Sequence, residues 1–566
     1  MSALDWVVVF GTLGAIIGYG LWKTRARAGA RVDMAAYVHG GYRDDWRTIG
    51  LSVMATQASA ITFLSMPGQA YEDGMRFVQF YFGLPLAMIA LSVAFVPRYY
   101  GLRVFTAYEL LEKRFDRKTR QLTALLFLLQ RGLSAGVTIY APAIILSKVV
   151  GWSLAGTSVA IGVLVTIYTV AGGTRAVSQT QKHQMVVMLG GMVVAAIVIV
   201  SRLPADLTFG RAARLAGTLG KMNIVDASFD PNSRYTLWSG LTGGFFLAMS
   251  YFGTDQSQVQ RYLSGRSITE SRLGLLFNGL LKVPMQALIL FVGVLVFVFH
   301  QFNAPPAFFN EAELARAEAA PGGGEVRALE AEHAAAFARK RDQIAQLEAA
   351  LDGNDARAIA DAKAGVQAAA AASADVRTRV KKAIARALPG TDTKDADYIF
   401  LSFVMANLPR GLVGLLLAVI FCAAMSSTAS ELTALAQCTL IDFYRRSWRP
   451  SESDTHYLTA AKLFTAGWGV LSIVFALGAS RVDNLIQAVN LLGSLFYGPI
   501  LGVFLAAFFV PRARATTVFV AALVGEALVF AAWLATSIGF LWFNVIGCAA
   551  VLAIAALGPR RADAAT

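Results

Sequence analysis

Charge is scarce in this 566-residue chain. Asp, Glu, Lys and Arg together make up 15% of it, against 56% hydrophobic residues, and the mean hydropathy is +0.55. So few charges exclude an ordinary soluble protein, which does not repeat apolar runs of about 20 residues from end to end, whereas a bilayer requires them. Cysteine is also rare. Cys422, Cys438 and Cys548 all lie inside apolar runs, which excludes a disulfide framework and gives no reason to expect thiol chemistry. No catalytic constellation or cofactor motif stands out, so an enzyme is not expected. The formal net charge of +14 would suit a nucleic-acid partner, but the basic residues fall in short clusters between hydrophobic runs. That is the topogenic pattern of a membrane protein.

What is present is a succession of about thirteen apolar spans: 4–22, 46–70, 76–97, 121–149, 152–171, 178–201, 238–262, 274–302, 410–436, 458–478, 484–510, 516–537 and 539–557. The first lacks the basic n-region and small-residue cleavage site of a signal peptide, so it reads as a span. "KTRARAGAR" (23–31), "EKRFDRKTR" (112–120), "RYLSGRS" with Arg272, "YRRSWR" (444–449), "PRAR" (511–514) and "PRR" (559–561) all fall on one side of this layout. The positive-inside rule makes that side cytoplasmic, with the N-terminus outside and the C-terminus inside, as expected for a multi-pass protein of the plasma membrane. Residues 303–397 do not belong to the bilayer. They are Ala-rich and studded with charge at helical spacing, interrupted by "PGGG" and "GND", and predict an extracytoplasmic helical hairpin or partly disordered loop with no part in the chemistry.

Chemistry in such a chain comes from polar groups inside the spans, because they cost free energy there and mark a pathway or a partner. The stretch "AVIFCAAMSSTASELTAL" (418–435) gathers Ser426, Ser427, Thr428 and Ser430 just before Glu431. Hydroxyl oxygens at this density suit a hard cation, although small polar residues also favour close helix packing. "GLSVMATQASAITFLSMPGQAYEDG" (50–74) combines Thr56, Gln57, Ser59 and Thr62 with Pro67-Gly68, and "GLTGGFFLAMSYFGTDQSQVQRYLSG" (240–265) places paired glycines before an intramembrane Asp255. Both read as discontinuous transporter helices whose unwound carbonyls face a cavity. They stand five spans apart, which predicts two five-span inverted repeats meeting at a midplane site. The division expected is 1–45 (first span and basic cytoplasmic loop), 46–201 (first repeat), 202–237 (outer loop), 238–302 and 398–510 (second repeat around the 303–397 insert) and 511–566 (two further spans and a short tail).

Four motifs carry a family resemblance. "GGTRAVSQTQKHQ" (172–184), "TAYELLEKRF" (106–115), "GTDQSQVQRYLS" (253–264) and "TIYAPAIILSKVVG" (138–151) resemble elements of the sodium:solute symporter family, the last looking most like its monocarboxylate, vitamin and iodide branch. The resemblance runs from about residue 40 to about 510, broken by the insert. It implies a LeuT-like all-α fold, Na⁺ as the co-transported ion and alternating access. It places the sodium ligands on the carbonyls of Ala55 and Ala58 and on Ala423, Ser426 and Ser427. For the solute it implies Thr62, Asp255 and Lys282, with Gln487 or Asn490 on the eleventh span. Gln181 stands where the family signature usually has Asp, a carboxylate tied to ion coupling, so a single coupled ion is expected. Lys282 is the obvious partner for Asp255, and Glu431 is left open as an ion pair, a proton site or a gate element. The expected partners are a small organic solute and the lipid bilayer, with no nucleic acid and no obligate protein. Proton coupling through Asp255 or Glu431 is the main alternative. A sensor on the same fold would need a signalling domain, and beyond residue 558 the sequence reads as a short tail.

Overall fold

The computed structural model describes residues 2–24, 44–102, 104–205, 207–391, 393–478 and 485–558. The basic loop read as cytoplasmic after the first span and the tail from 559 lie outside the described residues. Among the described residues every long element is helical. In chain order these are α1 (Ala3–Thr24), α2 (Trp46–Gln57), α3 (Ala60–Asp73), α4 (Leu84–Leu102), α5 (Arg117–Val150), α6 (Leu154–Ser201), α7 (Gly244–Gly253), α8 (Gln256–Leu263), α9 (Ile268–Phe302), α10 (Gly323–Gly353), α11 (Ala356–Ala387), α12 (Leu412–Cys438), α13 (Asp454–Gly478), α14 (Leu485–Phe509), α15 (Ala515–Ala535) and α16 (Leu541–Leu557). Helix occupies each of the intervals read as spans, and among the described residues nine helical stretches are long and apolar enough to cross a membrane by themselves.

Helix α12 sits at the centre, with all but three of its 27 residues buried. A helix buried all round cannot present a polar face to water, so its hydroxyls and Glu431 must find partners on the helices around it. The outside of the bundle is the reverse: Leu164, Ile167, Leu463 and Leu534 are all more than half exposed, an apolar belt that only lipid can cover. Helix α6 contains two spans. Its Tyr168 hydroxyl lies 2.7 Å from that of Thr180, whereas twelve residues of straight helix would separate them by about 18 Å. The chain therefore reverses between them.

Two spans are broken, and not where the proline and glycine pairs suggested. The first break falls at Ala58–Ser59, between α2 and α3, while Pro67 lies inside α3. The second falls at Thr254–Asp255, after Gly243-Gly244 rather than at it. The glycines serve close approach instead. A Cβ on Gly68 would lie 2.1 Å from the Ala396 carbonyl oxygen, and one on Gly293 would lie 2.1 Å from that of Pro67.

The insert forms a helical hairpin, α10 against α11, with its own apolar seam. Phe308, Val326, Leu329, Val380 and Ile384 pack at its foot, and Ile344, Leu347 and Leu351 close on Leu215 further along. Asp395 ties the return strand down. It accepts from the Phe309 amide (2.9 Å) and Arg377 (2.7 Å) and pairs with Lys381.

Overpacking at Gly293 should cost about 1–3 kcal/mol. Gly293→Val should lower the melting temperature of the detergent-purified protein by several degrees, whereas Gly190→Val, where nothing lies within 4 Å, should change it little. Equal melting curves would show that α9 does not rest on Pro67.

Candidate functional site

The two breaks satisfy their backbone differently. At the second, the Tyr99 hydroxyl donates to the Gly253 carbonyl (2.6 Å) and that of Tyr108 to the Thr254 carbonyl (2.9 Å), while the Asp255 carboxylate caps α8 by accepting from the Ser257 amide (2.9 Å). Both tyrosines are fully buried, so these carbonyls are held by rigid side chains. At the first break, the Ala58 amide closes α2 on the Met54 carbonyl (2.8 Å), and the Ala55 carbonyl accepts the Ser426 hydroxyl of α12 (3.0 Å). Ser427 turns its hydroxyl onto the Ala423 carbonyl one turn back (2.9 Å). A serine hydroxyl rotates freely and has lone pairs to offer. Ser426 thus ties α12 to the Ala55 carbonyl at the break, while Ser427 bonds within its own helix; Ala58 and Ala423 are buried as well, and hydroxyl and carbonyl oxygens of this kind can turn onto a hard cation.

Gln181 stands directly behind this set. Its amide oxygen accepts from Ser52, and its nitrogen lies 3.0 Å from the Ser426 carbonyl, 2.8 Å from the Ser430 hydroxyl and 3.1 Å from that of Thr56. One side chain thereby joins α2, α6 and α12. A carboxylate here would have no proton to donate to the Ser426 carbonyl. The amide N–H groups supply it.

Beside the break lies a cavity of about 70 Å³ lined by Thr56, Gln57, Thr62, Tyr251, Glu431 and Asn490, among others. Its charge comes from a residue that the sequence reading passed over. Arg131, on α5, pairs with Asp255, with Glu431 (3.1 Å) and with the Tyr497 hydroxyl (2.5 Å), and its guanidinium lies over the Tyr251 ring at 5.2 Å. The signal was a lone cation in the apolar run "LLFLLQRGLSAG" (125–136), which intramembrane cost alone marks as functional.

The remaining expected solute residues separate. Thr62 and Asn490 line the cavity. Asp255 reaches it through Arg131. Gln487 instead bridges Gln69 (3.1 Å) and Arg234 (2.6 Å) across the end of the bundle nearer the insert. Lys282 does not pair with Asp255: its ammonium is fully buried on α9 without a hydrogen-bond partner. The break at Thr254 explains this, because as the cap of α8 Asp255 points toward α5 and α14 and is saturated by Arg131, Tyr497 and Ser257. At the opposite end, Glu112 joins Arg120 (2.8 Å) to Arg446 (2.6 Å), and Arg120 reaches Asp442 (2.7 Å). The Arg446 hydrogen bond, then that of Arg120, holds the Glu112 carboxyl below its usual range.

The sodium:solute symporter profile matches residues 37–321 and 374–525. The chain belongs to that family. The human sodium/iodide cotransporter is 35% identical over 287 residues, 50% of this chain and 43% of that protein. Human sodium-coupled monocarboxylate transporter 1 is 33% identical over 274 residues, 48% of this chain and 44% of that protein. The sodium-dependent multivitamin transporter of Oryctolagus cuniculus is 27% identical over 491 residues, 86% of this chain and 63% of that protein. The first two matches thus span less than half of each relative. A solved structure of a Na⁺-coupled sialic acid symporter, substrate-bound and outward-open, covers 99% of both chains with a TM-score of 0.75 at 23% identity. That likeness establishes the inverted-repeat membrane fold. The family match skips residues 322–373, so all of α10 and the first half of α11 are additions to the family pattern.

Removing an unpaired buried ammonium relieves a desolvation cost, whereas removing Arg131 strands two carboxylates at about 3–5 kcal/mol. Lys282→Met should therefore hold or raise the melting temperature, and Arg131→Met should lower it sharply. In a double-mutant cycle, Lys282→Met and Asp255→Asn should add. A coupling above about 0.5 kcal/mol would restore the Asp255–Lys282 pair.

Proposed function

We propose that the protein is a secondary active transporter that couples Na⁺ entry to uptake of a small organic acid. The observation that supports this reading is the contact of Ser426 with the Ala55 carbonyl at the break between α2 and α3, next to a cavity lined by Ser427 and a buried arginine; in this reading Ala58 and Ala423 complete the set of sodium ligands. The names of the similar proteins support it: they are coupled to sodium, and two of them carry iodide or monocarboxylates. In this reading residues 46–201 form the first repeat and 238–302 with 398–510 the second. The N-terminus and the hairpin face outward and the basic clusters face the cytoplasm.

The Na⁺ ion is cargo, and this chain's own groups select the ion. Its arrival turns the Ser426 and Ser427 hydroxyls away from the carbonyls of Ala55 and Ala423, and both carbonyls become ligands. That joins α12 to the unwound segment and orders the cavity wall formed by Thr56, Gln57 and Thr62. Arg131, held flat by Tyr251 and Tyr497, receives the solute carboxylate. A membrane potential of about 100 mV adds roughly 2.3 kcal/mol per translocated charge. Gln181 supplies N–H groups where a carboxylate would hold a second cation, so one Na⁺ per solute is the stoichiometry of this reading. A proton-coupled carrier is the second reading, favoured by the buried Glu431 oxygen that has no hydrogen-bond partner.

In proteoliposomes, uptake should follow the Na⁺ gradient with a Hill coefficient of about 1 and should not follow an imposed pH gradient. Ser426→Ala with Ser427→Ala should abolish the Na⁺ dependence while the protein still runs as a monodisperse peak. A wild-type sodium activation curve in the double variant would remove the ion from this site, and uptake driven by pH alone would favour Glu431.

A further inference from the structure

Among the described residues the cavity contains buried polar atoms left without a hydrogen-bond partner, and they are of both kinds. Arg131 Nε and Asn490 Nδ2 are donors without acceptors. Gln57 Oε1 and Glu431 Oε2 are acceptors without donors. Buried polar groups are rarely left unpaired, and a solute that fills a cavity is the group that pairs them. The two amides can exchange their ends by rotation, but an ionised carboxylate only accepts. Glu431 is therefore the demanding member.

The two carboxylates beside Arg131 are not equivalent. Asp255 uses both oxygens: Oδ2 takes Arg131 and the Tyr497 hydroxyl, and Oδ1 takes the Ser257 amide and hydroxyl. Glu431 uses Oε1 on Arg131 at 3.1 Å and has Oε2 left over, in a residue only 5% exposed. With both carboxylates ionised, one guanidinium leaves an excess negative charge, and the unpaired Oε2 places it on Glu431. A bare carboxylate or a halide offers acceptors alone. It can satisfy Arg131 and Asn490, but it sets negative charge against Glu431 Oε2.

We propose that Glu431 is the specificity-determining residue of the cavity, selecting short acids that carry a hydrogen-bond donor beside the carboxylate, as a hydroxyl or an ammonium, over the same acids without one. This rests on the reading of the cavity as the solute site. The donor meets Glu431 Oε2 while the carboxylate meets Arg131, so one small molecule satisfies both kinds of unpaired atom. The cavity as it stands favours short acids.

The test uses the full-length protein in nanodiscs with saturating Na⁺ and measures binding of propionate, 2-hydroxypropionate, 2-aminopropionate and iodide by calorimetry. At least one of the two substituted acids should bind about tenfold or more tighter than propionate, because a site built for a donor rejects the analogue lacking it. Glu431→Gln should bring that ratio to within about threefold, partly by raising propionate affinity, since the amide removes the charge and adds N–H donors. The Na⁺ half-saturation of the variant should stay at the wild-type value. A purely structural role would weaken all four ligands together and leave the ratio unchanged. Equal wild-type affinity for propionate and both substituted acids, or an unchanged ratio in Glu431→Gln, overturns the inference while leaving the solute-site reading intact. Absence of Na⁺-dependent binding for every acid overturns both.

Discussion

A helix broken inside a bilayer exposes peptide groups where no water can satisfy them, and the architecture follows from how two such breaks are satisfied. At Thr254–Asp255 the carbonyls are held by two buried tyrosines, and the new helix start is capped by a carboxylate. At Ala58–Ser59 the nearby carbonyl of Ala55 is held by a serine hydroxyl, which a cation can displace by a simple rotation. One break is a rigid joint. The other is held by a rotatable hydroxyl. The same backbone defect thus acquires opposite roles from the side chains placed opposite it.

The central position of α12 makes this possible. Its small residues allow α1, α5 and α6 to approach closely, and its polar residues are distributed by face. Ser426 meets the break, Ser430 meets Gln181, and Glu431 meets Arg131. In the proposed reading, ion and solute sites are therefore two aspects of one helix, separated by little more than a turn. Coupling between them would need no long-range path, because the broken span that carries the Ala55 and Ala58 carbonyls also lines the cavity through Thr56, Gln57 and Thr62.

The hairpin adds a different constraint. Its return passes over α3 so closely that Gly68 is required beneath Ala396, and Asp395 fixes that return to α11. The α3 half of the broken span is thereby packed against a segment adjoining the part of the chain that lies outside the family match. Charged helix formers in the insert acquire a definite place through a few apolar residues at its foot, Phe308 and Val380 among them.

The membrane class, the spans and the two discontinuous helices were legible in the sequence because a bilayer dictates apolar length and penalises every polar exception. The A-x-x-S-S spacing on α12 likewise marked Ser426, which meets the break, since three or four residues on a helix share a face. What the sequence did not carry was the identity of partners across helices. Asp255 and Lys282 stood as an obvious pair by charge and neighbouring span, yet a cap geometry created by the break turns Asp255 to Arg131, more than a hundred residues earlier. Pro67 and Gly68 looked like the break and are instead a close contact. Propensity marks where a helix is weak, but the tertiary structure decides which weak point opens, because only there are side chains available to receive the freed peptide groups.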